Sequence, residues 1–380
     1  MVEVDLLIRS GTIVDPARNV EAPGDVVILG NRIVVPPDGA VVRAARVIEA
    51  EGCLVTPGLI DHHAHVFGGG TALSVLPDLM LPMGVTTVVD AGSSGIDAFE
   101  VFRRVSVEGS RVRVLCQLNV SSAGQITEAH PESLDPAHFE RRRIAALAAR
   151  YPELIRGLKI RCGAEVVGRF GLEPLRAALE VAEEVGLPLV VHTTNPPCDM
   201  DELAAMLRPG DVLCHCFHGK GSTMINAEGH AKPKVREARA RGVLFDTADA
   251  RTNHSYPVIR AALADGFRPD IISTDLTISS LFGNMVFGLP VVLSRYLEHG
   301  MTLAEVVGAA TAAPARALGL GGTLGTLGEG AAADVAVFAL RERAIRMTNL
   351  AGEEMTVRHH LVPQMTVSGG EIVYRQVDFL

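Results

Sequence analysis

Two histidines with the spacing of paired metal ligands follow an apolar run near residue 60. His63 and His65 stand two positions apart at the end of the stretch Gly58–His65. In a β-strand alternate side chains share one face, so these two imidazoles point the same way while His62 points away. Neutral imidazoles held side by side on rigid backbone make half of a divalent-metal site. The alternative is a chance pair of polar residues that closes a strand, and further ligands must decide between the two.

Four more residues with metal-binding chemistry accompany apolar strand candidates farther along the chain. They are Lys159, His192, His215 and Asp275. Each has an ordinary alternative, because a strand-end histidine is usually hydrogen-bonded structure, an aspartate there can cap a helix, and a lysine can mark a misplaced strand boundary. If the strands are parallel, however, all six residues fall at the same end of one sheet. Accident is a poor explanation of that joint pattern.

The middle of the chain supplies the elements that would position these residues. Between about residues 57 and 322, apolar strand candidates alternate with amphipathic helical patterns. The candidates are Leu59–His63, Thr86–Val89, Arg113–Asn119, Leu158–Ile160, Pro188–His192, Val212–Cys216, Val243–Asp246 and Ile271–Thr274. Eight βα units predict an α/β fold with a closed (β/α)8 TIM barrel, whose active site lies at the carboxyl ends of its strands. A doubly wound open sheet is the alternative, but no glycine-rich dinucleotide motif follows the first strand.

The two ends of the chain have a different residue pattern from the middle. Short β patterns separated by Gly, Pro, Asn and Asp, with a predicted turn at Ser10–Gly11, indicate a small antiparallel β unit in residues 1–57. The same pattern of short strands and turn residues occurs in residues 325–380. Neither piece has enough strands to close a core alone, and chain termini often lie close together. We therefore predict one small β-sandwich composed of both termini, and a barrel domain at residues 58–324.

Composition argues against several kinds of partner. The 380-residue chain has 48% hydrophobic and 21% charged residues, enough for a sizeable core. Its net charge of −9 argues against nucleic acid or an anionic membrane as a partner, and no apolar stretch is long enough to span a bilayer. Six cysteines without a Cys-x-x-Cys pair, and an acidic N-terminus without a signal-peptide pattern, predict a cytoplasmic protein with reduced thiols. We expect a small-molecule substrate and a homo-oligomer.

In order and in spacing, these residues resemble the metal-dependent amidohydrolase superfamily over nearly the whole chain. The motifs that carry the resemblance are Pro57-Gly58-Leu59-Ile60-Asp61-x-His63-x-His65, the strand lysine, the two later histidines, Asp275, Gly11-Thr12-Ile13-Val14-Asp15 and Gly328-x-Gly330-x-x-Ala333-Asp334. Three segments resemble more narrowly the dihydroorotase-related deacetylase branch. They are Gly157-Leu158-Lys159-Ile160-Arg161, His215-Cys216-Phe217-x-Gly219 and Ser273-Thr274-Asp275.

The resemblance implies a binuclear metal centre with two divalent ions, zinc being the expected metal. The implied ligands are His63, His65 and Asp275 for the more buried ion, and His192 and His215 for the more exposed one. Lys159 would bridge both ions as a carbamate formed with CO2, because an unmodified ammonium would repel them. A hydroxide shared by the ions would attack the substrate carbonyl, and Asp275 would serve as general base and then as general acid.

The expected reaction is hydrolysis of the amide or ester bond of a small acylated carboxylic acid, either an N-acyl amino acid or an acetylated hydroxy acid. Arg161 could hold the substrate carboxylate through paired hydrogen bonds, with a buried salt bridge as its alternative role. The other candidate substrate contacts are Asn119, Asn195, His218 and His254. Residues 249–256 depart from the Gly-His-Gly type of segment that the branch leads us to expect, so that side of the mouth is unassigned.

Two other functions remain open. A cyclic-amide hydrolase of dihydroorotase or hydantoinase type would need groups that read an imide edge, and the sequence does not single out such a set. A non-catalytic, assembly-forming relative would be expected to have lost ligands, whereas all six are present. The metal-dependent hydrolase is therefore the favoured prediction.

Overall fold

Two β-sheets organise the chain. The computed structural model describes residues 1–127, 129–250, 252–283 and 288–379. The strands within these residues are β1 (Val2–Asp15), β2 (Val20–Leu29), β3 (Arg32–Val34), β4 (Val42–Glu49), β5 (Cys53–Pro57), β6 (Leu59–Ala64), β7 (Val85–Ala91), β8 (Arg113–Asn119), β9 (Ile155–Arg161), β10 (Leu189–His192), β11 (Val212–Cys214), β12 (Leu244–Asp246), β13 (Val335–Thr348), β14 (Glu354–Ser368) and β15 (Glu371–Arg375).

The helices lie mainly between the strands of the central region. They are α1 (Phe99–Phe102), α2 (Arg141–Arg150), α3 (Ala164–Val167), α4 (Glu173–Val185), α5 (Met200–Met206), α6 (Pro233–Ala240), α7 (Tyr256–Ala264), α8 (Ile278–Phe282), α9 (Leu289–Glu298), α10 (Leu303–Ala309) and α11 (Ala312–Ala317). Among the described residues we find no helix with the length and apolar character that a membrane crossing requires.

β6 to β12 form a parallel sheet of seven strands in chain order. Its two edges meet residues 271–276, where Ile271 bridges to Asp246 of β12 and Leu276 bridges to Ala64 of β6. This segment occupies the eighth position of the ring and confirms the predicted barrel. It differs from the predicted strand because only Ile271 and Leu276 form β-bridges, and Asp275 has a φ of 52°, which interrupts the extended backbone.

The packing of α4 shows how the helices cover the barrel. Pro174 lies in its first turn, where the missing N–H costs nothing, and the helix ends at Gly186, whose φ of 67° suits glycine. Apolar residues three and four positions apart, including Leu175, Ala178 and Val181, face inward and are fully buried. Burial of each large apolar side chain stabilises the fold by about 1.5–3 kcal/mol. Because helices cover their outer face, barrel strands such as β7 are buried along their whole length.

Strands from both ends of the chain form the second sheet, which has eight strands in the order β15-β14-β13-β5-β1-β2-β3, with β4 also paired to β1. The predicted Ser10–Gly11 turn is wrong. β1 continues through it as a bulge, in which Ser10 has a φ of 64° and the pairing register shifts between Ile8 and Gly11. The first half of β1 pairs with β4 and its second half with β5, both in parallel, so the sheet is mixed. The domain boundaries at residues 57 and 325 stay predictions.

The hairpin of β13 and β14 carries the second sheet toward the barrel mouth. Near its tip, Glu353 accepts hydrogen bonds from the Oγ of Ser255 at 2.8 Å and the backbone N–H of Tyr256 at 2.7 Å. A carboxylate at this position satisfies an unpaired N–H at the start of α7 and suits the positive end of the helix dipole. The hairpin therefore fixes the end of the loop that joins β12 to α7.

Candidate active site

A cavity of about 120 Å3 lies at the carboxyl ends of the barrel strands. Its walls contain all six predicted ligands together with residues from the loops that follow the strands. The lining residues are His63, His65, Gln125, Lys159, Arg161, Glu165, His192, Thr194, His215, Lys220, Thr252, Asn253, Asp275 and Thr277. The barrel therefore brings together side chains that are up to 212 positions apart in the sequence, as the difference between His63 and Asp275 shows.

His63, His65 and Asp275 form one group within the site. Oδ1 of Asp275 lies 3.4 Å from Nε2 of His63 and 3.3 Å from Nε2 of His65. One ligand atom from each of the three residues lies within 4.8 Å of the others, and all three residues are buried. Two imidazole nitrogens and a carboxylate oxygen at this separation are suited to a single divalent ion.

The other three predicted ligands lie beside this group. The rings of His192 and His215 are 4.4 Å apart between centroids, and those of His63 and His215 are 5.1 Å apart. Nζ of Lys159 lies 3.4 Å from Nε2 of His63, and the lysine is only 1% exposed. No carboxylate of the described residues lies within 4 Å of this buried amine. A buried ammonium without a counter-ion is costly, so its place among histidines requires another explanation.

Outer partners determine which nitrogen of three histidines faces the cavity. Nδ1 of His215 lies 2.9 Å from the carbonyl oxygen of Ala248, which can only accept, so Nδ1 carries the proton and Nε2 carries the lone pair. Nδ1 of His65 contacts Oγ of Ser93 at 2.8 Å. Nδ1 of His63 contacts a sulfur atom of β11 at 2.9 Å. Such outer contacts are the usual means of orienting metal-binding imidazoles.

Burial keeps the imidazoles of His63, His192 and His215 neutral. It lowers the pKa of His63 to about 3, and it lowers the pKa values of His192 and His215 well below the usual value. Burial alone would raise the pKa of Asp275, but hydrogen bonds with His63 and His65 hold that pKa well below its usual range. Neutral imidazoles beside an ionised carboxylate are the protonation states that a divalent metal requires. The donor set therefore fits the expected ions.

Two of these residues have left-handed backbone. The φ angles are 61° at His215 and 52° at Asp275, a conformation that costs roughly 1–2 kcal/mol for a residue other than glycine. Buried Asp61 holds the segment before Asp275: its carboxylate accepts from the N–H of Thr274 at 3.1 Å and from the Oγ1 of Thr274 at 2.6 Å. Strain of this kind persists where the surroundings over-determine the conformation, and it clusters at functional sites.

Comparison with known proteins identifies the family. The sequence pattern of the Amidohydrolase family matches residues 54–373. The chain belongs to the amidohydrolase family. It is therefore a hydrolytic enzyme, and its family implies a small-molecule substrate. The resemblance inferred from the sequence is confirmed.

Similar proteins extend this amidohydrolase assignment over nearly the whole chain. A deacetylase from Agrobacterium fabrum is 32% identical over 352 residues, which are 92% of this chain and 84% of the relative. A crystal structure of an adenine deaminase matches with a TM-score of 0.91 and 28% identity, covering 98% of this chain and 100% of that one. A crystal structure of a dihydroorotase matches with a TM-score of 0.85 and 30% identity, covering 98% of each chain.

Arg161 is the one predicted substrate contact that lines the cavity of this amidohydrolase, and it also makes the buried salt bridge given above as its alternative role. Its Nε lies 2.9 and 3.0 Å from the two carboxylate oxygens of Glu132, and its Nη2 lies 2.5 Å from one of them. The Glu132 side chain is fully buried. Among the described residues, Nη1 has no hydrogen-bond partner. The guanidinium therefore retains one edge for another acceptor.

The other four predicted substrate contacts are not among the residues that line the cavity. The amide of Asn119 donates to the Gly92 carbonyl at 3.0 Å, and the amide of Asn195 donates to Glu165 at 2.9 Å. His218 is fully buried and accepts at Nδ1 from the N–H of Lys220, at 3.3 Å. Nε2 of His254 lies 3.0 Å from Nη1 of Arg295. The structure shows each of them in a structural contact, and their substrate role stays a prediction.

Several lining residues were not found from the sequence. Glu165 lies in α3, which follows β9, and Gln125 lies in the long loop after β8. Asn253 and Thr252 belong to the segment that departs from the branch pattern, next to His254, which was chosen instead. Their signal was the polar run after the seventh strand. The sequence could not tell which of these consecutive polar side chains turns inward.

Proposed function

We propose that this amidohydrolase is a binuclear metal-dependent hydrolase that cleaves the amide or ester bond of a small acylated carboxylic acid. The observation that carries the proposal is the convergence of four histidines, Lys159 and Asp275 on one small buried cavity. Its size suits an acyl group with a short acid rather than a polymer. The deacetylase relatives, at about 30% identity, support an acyl substrate.

The ligands are assigned as the family resemblance implies, and the close grouping of His63, His65 and Asp275 supports the assignment. His63, His65 and Asp275 would hold the more buried ion, while His192 and His215 would hold the more exposed one, with zinc as the expected metal in both positions. Lys159 would serve as the bridging carbamate. Its burial without a carboxylate partner among the described residues supports this, because carbamylation replaces an unpaired cation by an anion.

Bound divalent ions would polarise a carbonyl and bring the pKa of a water molecule near neutrality. The chain's own residues would do the rest. Oδ1 of Asp275 faces the imidazoles of His63 and His65, so Oδ2, which also accepts a hydrogen bond from Asn253, would accept a proton from the attacking water and return it to the leaving group. The buried walls exclude other water from the reacting carbonyl.

The carboxylate of the substrate would be recognised by two cations of the wall. Arg161 presents the edge that Glu132 does not occupy, and Lys220 stands at the exposed rim of the same cavity. A planar guanidinium can donate two parallel hydrogen bonds to one carboxylate. A neighbouring ammonium adds positive charge without fixing the geometry. This pair supports a substrate with a free carboxylate over one whose carboxylate is esterified.

A cyclic-amide hydrolase is the second candidate. The similarity to a solved dihydroorotase, at 30% identity and a TM-score of 0.85, favours it. Ring opening would use the same centre and the same proton transfer by Asp275. The two candidates differ in the substrate and not in the machinery.

Substrate panels test the proposal. Metal-loaded enzyme is assayed on N-acyl amino acids, acetylated hydroxy acids, cyclic imides and adenine, with Asp275→Asn as the inactive control. We expect turnover of the first two panels at kcat/KM values of about 10⁴ M⁻¹s⁻¹ or more, a typical lower value for enzymes. Turnover confined to the cyclic imides or to adenine would overturn the acyclic assignment.

Lys159→Ala tests the bridge separately. We expect loss of bound metal and of activity, with partial rescue by an added short-chain carboxylate that occupies the same space. Full activity with two metals per chain and no added carboxylate would contradict a bridging carbamate. Homo-oligomerisation and a cytoplasmic location stay predictions, which size-exclusion chromatography with light scattering and cell fractionation would check.

A further inference from the structure

The two oxygens of the Asp275 carboxylate have different partners. Oδ1 lies 3.4 and 3.3 Å from the Nε2 atoms of His63 and His65. Oδ2 accepts a hydrogen bond from Nδ2 of Asn253 at 2.9 Å. The two oxygens of an ionised carboxylate are equivalent, so these contacts together fix the plane of the group about its Cβ–Cγ bond, with one oxygen toward the histidines and the other toward Asn253.

The orientation of the Asn253 amide is itself determined. An ionised carboxylate only accepts hydrogen bonds, so the nitrogen of the amide must face Asp275. Its oxygen then faces the Oγ1 of Thr194, which donates to it at 2.9 Å. Asn253 is 7% exposed, Thr194 is 3% exposed, and both line the cavity. Water therefore competes little for either hydrogen bond.

We propose that Asn253 is a positioning residue, whose amide holds the Asp275 carboxylate with Oδ1 toward His63 and His65 and Oδ2 toward the cavity. Thr194 in turn holds the amide. The proposal rests on the proposed function, in which Oδ2 transfers the proton. It assigns a task to the segment 249–256, which departs from the branch pattern.

The loop that carries Asn253 is anchored on both sides. The backbone N–H of Asn253 donates to the carbonyl of Ala250 at 2.7 Å, and the N–H of Asp249 donates to the carbonyl of Ser273 at 3.1 Å. From α9, the hydroxyl of Tyr296 donates to Oδ1 of Asp249 at 3.2 Å, and buried Arg295 contacts His254. The amide is thus carried by a residue whose described neighbours are held by hydrogen bonds, which is what positioning requires.

Three variants test the chain of contacts. Asn253→Ala removes the donor, Thr194→Val removes the hydroxyl at nearly constant volume, and Thr194→Ser restores the hydroxyl. We expect kcat to fall about 10–100-fold in Asn253→Ala and about 10-fold in Thr194→Val, the range for loss of an outer partner of a metal site, with KM changed by less than about threefold. Thr194→Ser should stay within about twofold of wild type. The double variant should be no slower than Asn253→Ala, because both act through one amide.

A spectroscopic measurement separates this inference from the proposed function. Cobalt-substituted Asn253→Ala should show an altered visible absorption band at unchanged metal content, since the carboxylate loses its fixed orientation. Asn226→Ala, which removes an amide that accepts from the N–H of His230 on a distant loop, is the matched control and should keep wild-type kcat and spectrum. If Asn253→Ala and Thr194→Val both keep the wild-type spectrum and kcat, the inference is wrong. If wild type binds cobalt and hydrolyses nothing, the proposed function fails, while the spectra still decide the inference.

Discussion

The Sγ atom of Cys214 lies 2.9 Å from Nδ1 of His63, behind the wall of the site. Burial raises the pKa of this thiol well above its usual value, so it contacts the ring as a neutral group. From the sequence it is only one of six reduced cysteines. In the structure it is the outer partner of a predicted metal-binding histidine.

Removal of this thiol should weaken metal binding. We expect Cys214→Ala to lower metal affinity about 10–100-fold in competition with a chelator, because His63 loses the contact that orients its ring. Cys116→Ala is the matched control: Cys116 is equally buried, on barrel strand β8, and no hydrogen bond of its thiol is found among the described residues. Equal affinities in the two variants would show that the sulfur does not orient the ring.

Gly92 makes room for Lys159. A methyl group at Gly92 would lie 2.7 Å from Cγ and 2.8 Å from Cβ of the lysine, and the glycine has a φ of 80°. We expect Gly92→Ala to lose about 1–2 kcal/mol of unfolding free energy from backbone strain and, in addition, to lose bound metal as Lys159 is displaced. Thermal unfolding and metal analysis measure the two effects.

Gly69 provides the matched control for Gly92. It has a similar φ of 83°, but a methyl group there would meet no atom within 4 Å. Gly69→Ala should therefore show the strain without the loss of metal. If both variants keep two metals per chain, Lys159 does not need the space that Gly92 leaves.

These contacts mark the limit of prediction from sequence. The barrel and the six residues could be predicted because strand periodicity and strand-end position are local properties, and parallel strands bring their carboxyl ends together. Asn253 could not be separated from neighbouring His254, because the path of a loop depends on distant partners such as Glu353 and Arg295. The bulge at Ser10 could not be told from a turn, because both conformations use left-handed backbone.

Arg161 should contribute to recognition of the substrate carboxylate. Arg161→Lys keeps a positive charge next to Glu132 but loses the planar fork that can hold two acceptors. We expect KM for a carboxylate-bearing substrate to rise about 10-fold, and KM for its methyl ester to change by less than about twofold, since only the acid uses the second edge. Steady-state kinetics on the matched pair measure this. An equal rise for acid and ester would assign Arg161 to the salt bridge alone.

Protonation of His299 should contribute to the loss of folding stability at low pH. Its ring lies beside the rings of Tyr256 and Tyr296, with centroids 5.9 and 6.2 Å away, and burial lowers its pKa to about 4. An unfolded histidine has a pKa near 6.5, so between these values the unfolded state binds more protons. The contribution of His299 to stability is therefore complete above about pH 6.5 and is lost as the pH falls through about 4.

A variant without this ring should lose part of that dependence. We expect His299→Leu to reduce the slope of unfolding free energy against pH by at most one proton, about 1.4 kcal/mol per pH unit, between pH 6.5 and 4. Urea unfolding of both proteins in the presence of a chelator gives the two profiles, and the difference between them removes the titration of the site histidines, which both proteins share. Parallel profiles over this range would mean that His299 is protonated equally in the folded and unfolded chains, contrary to its burial.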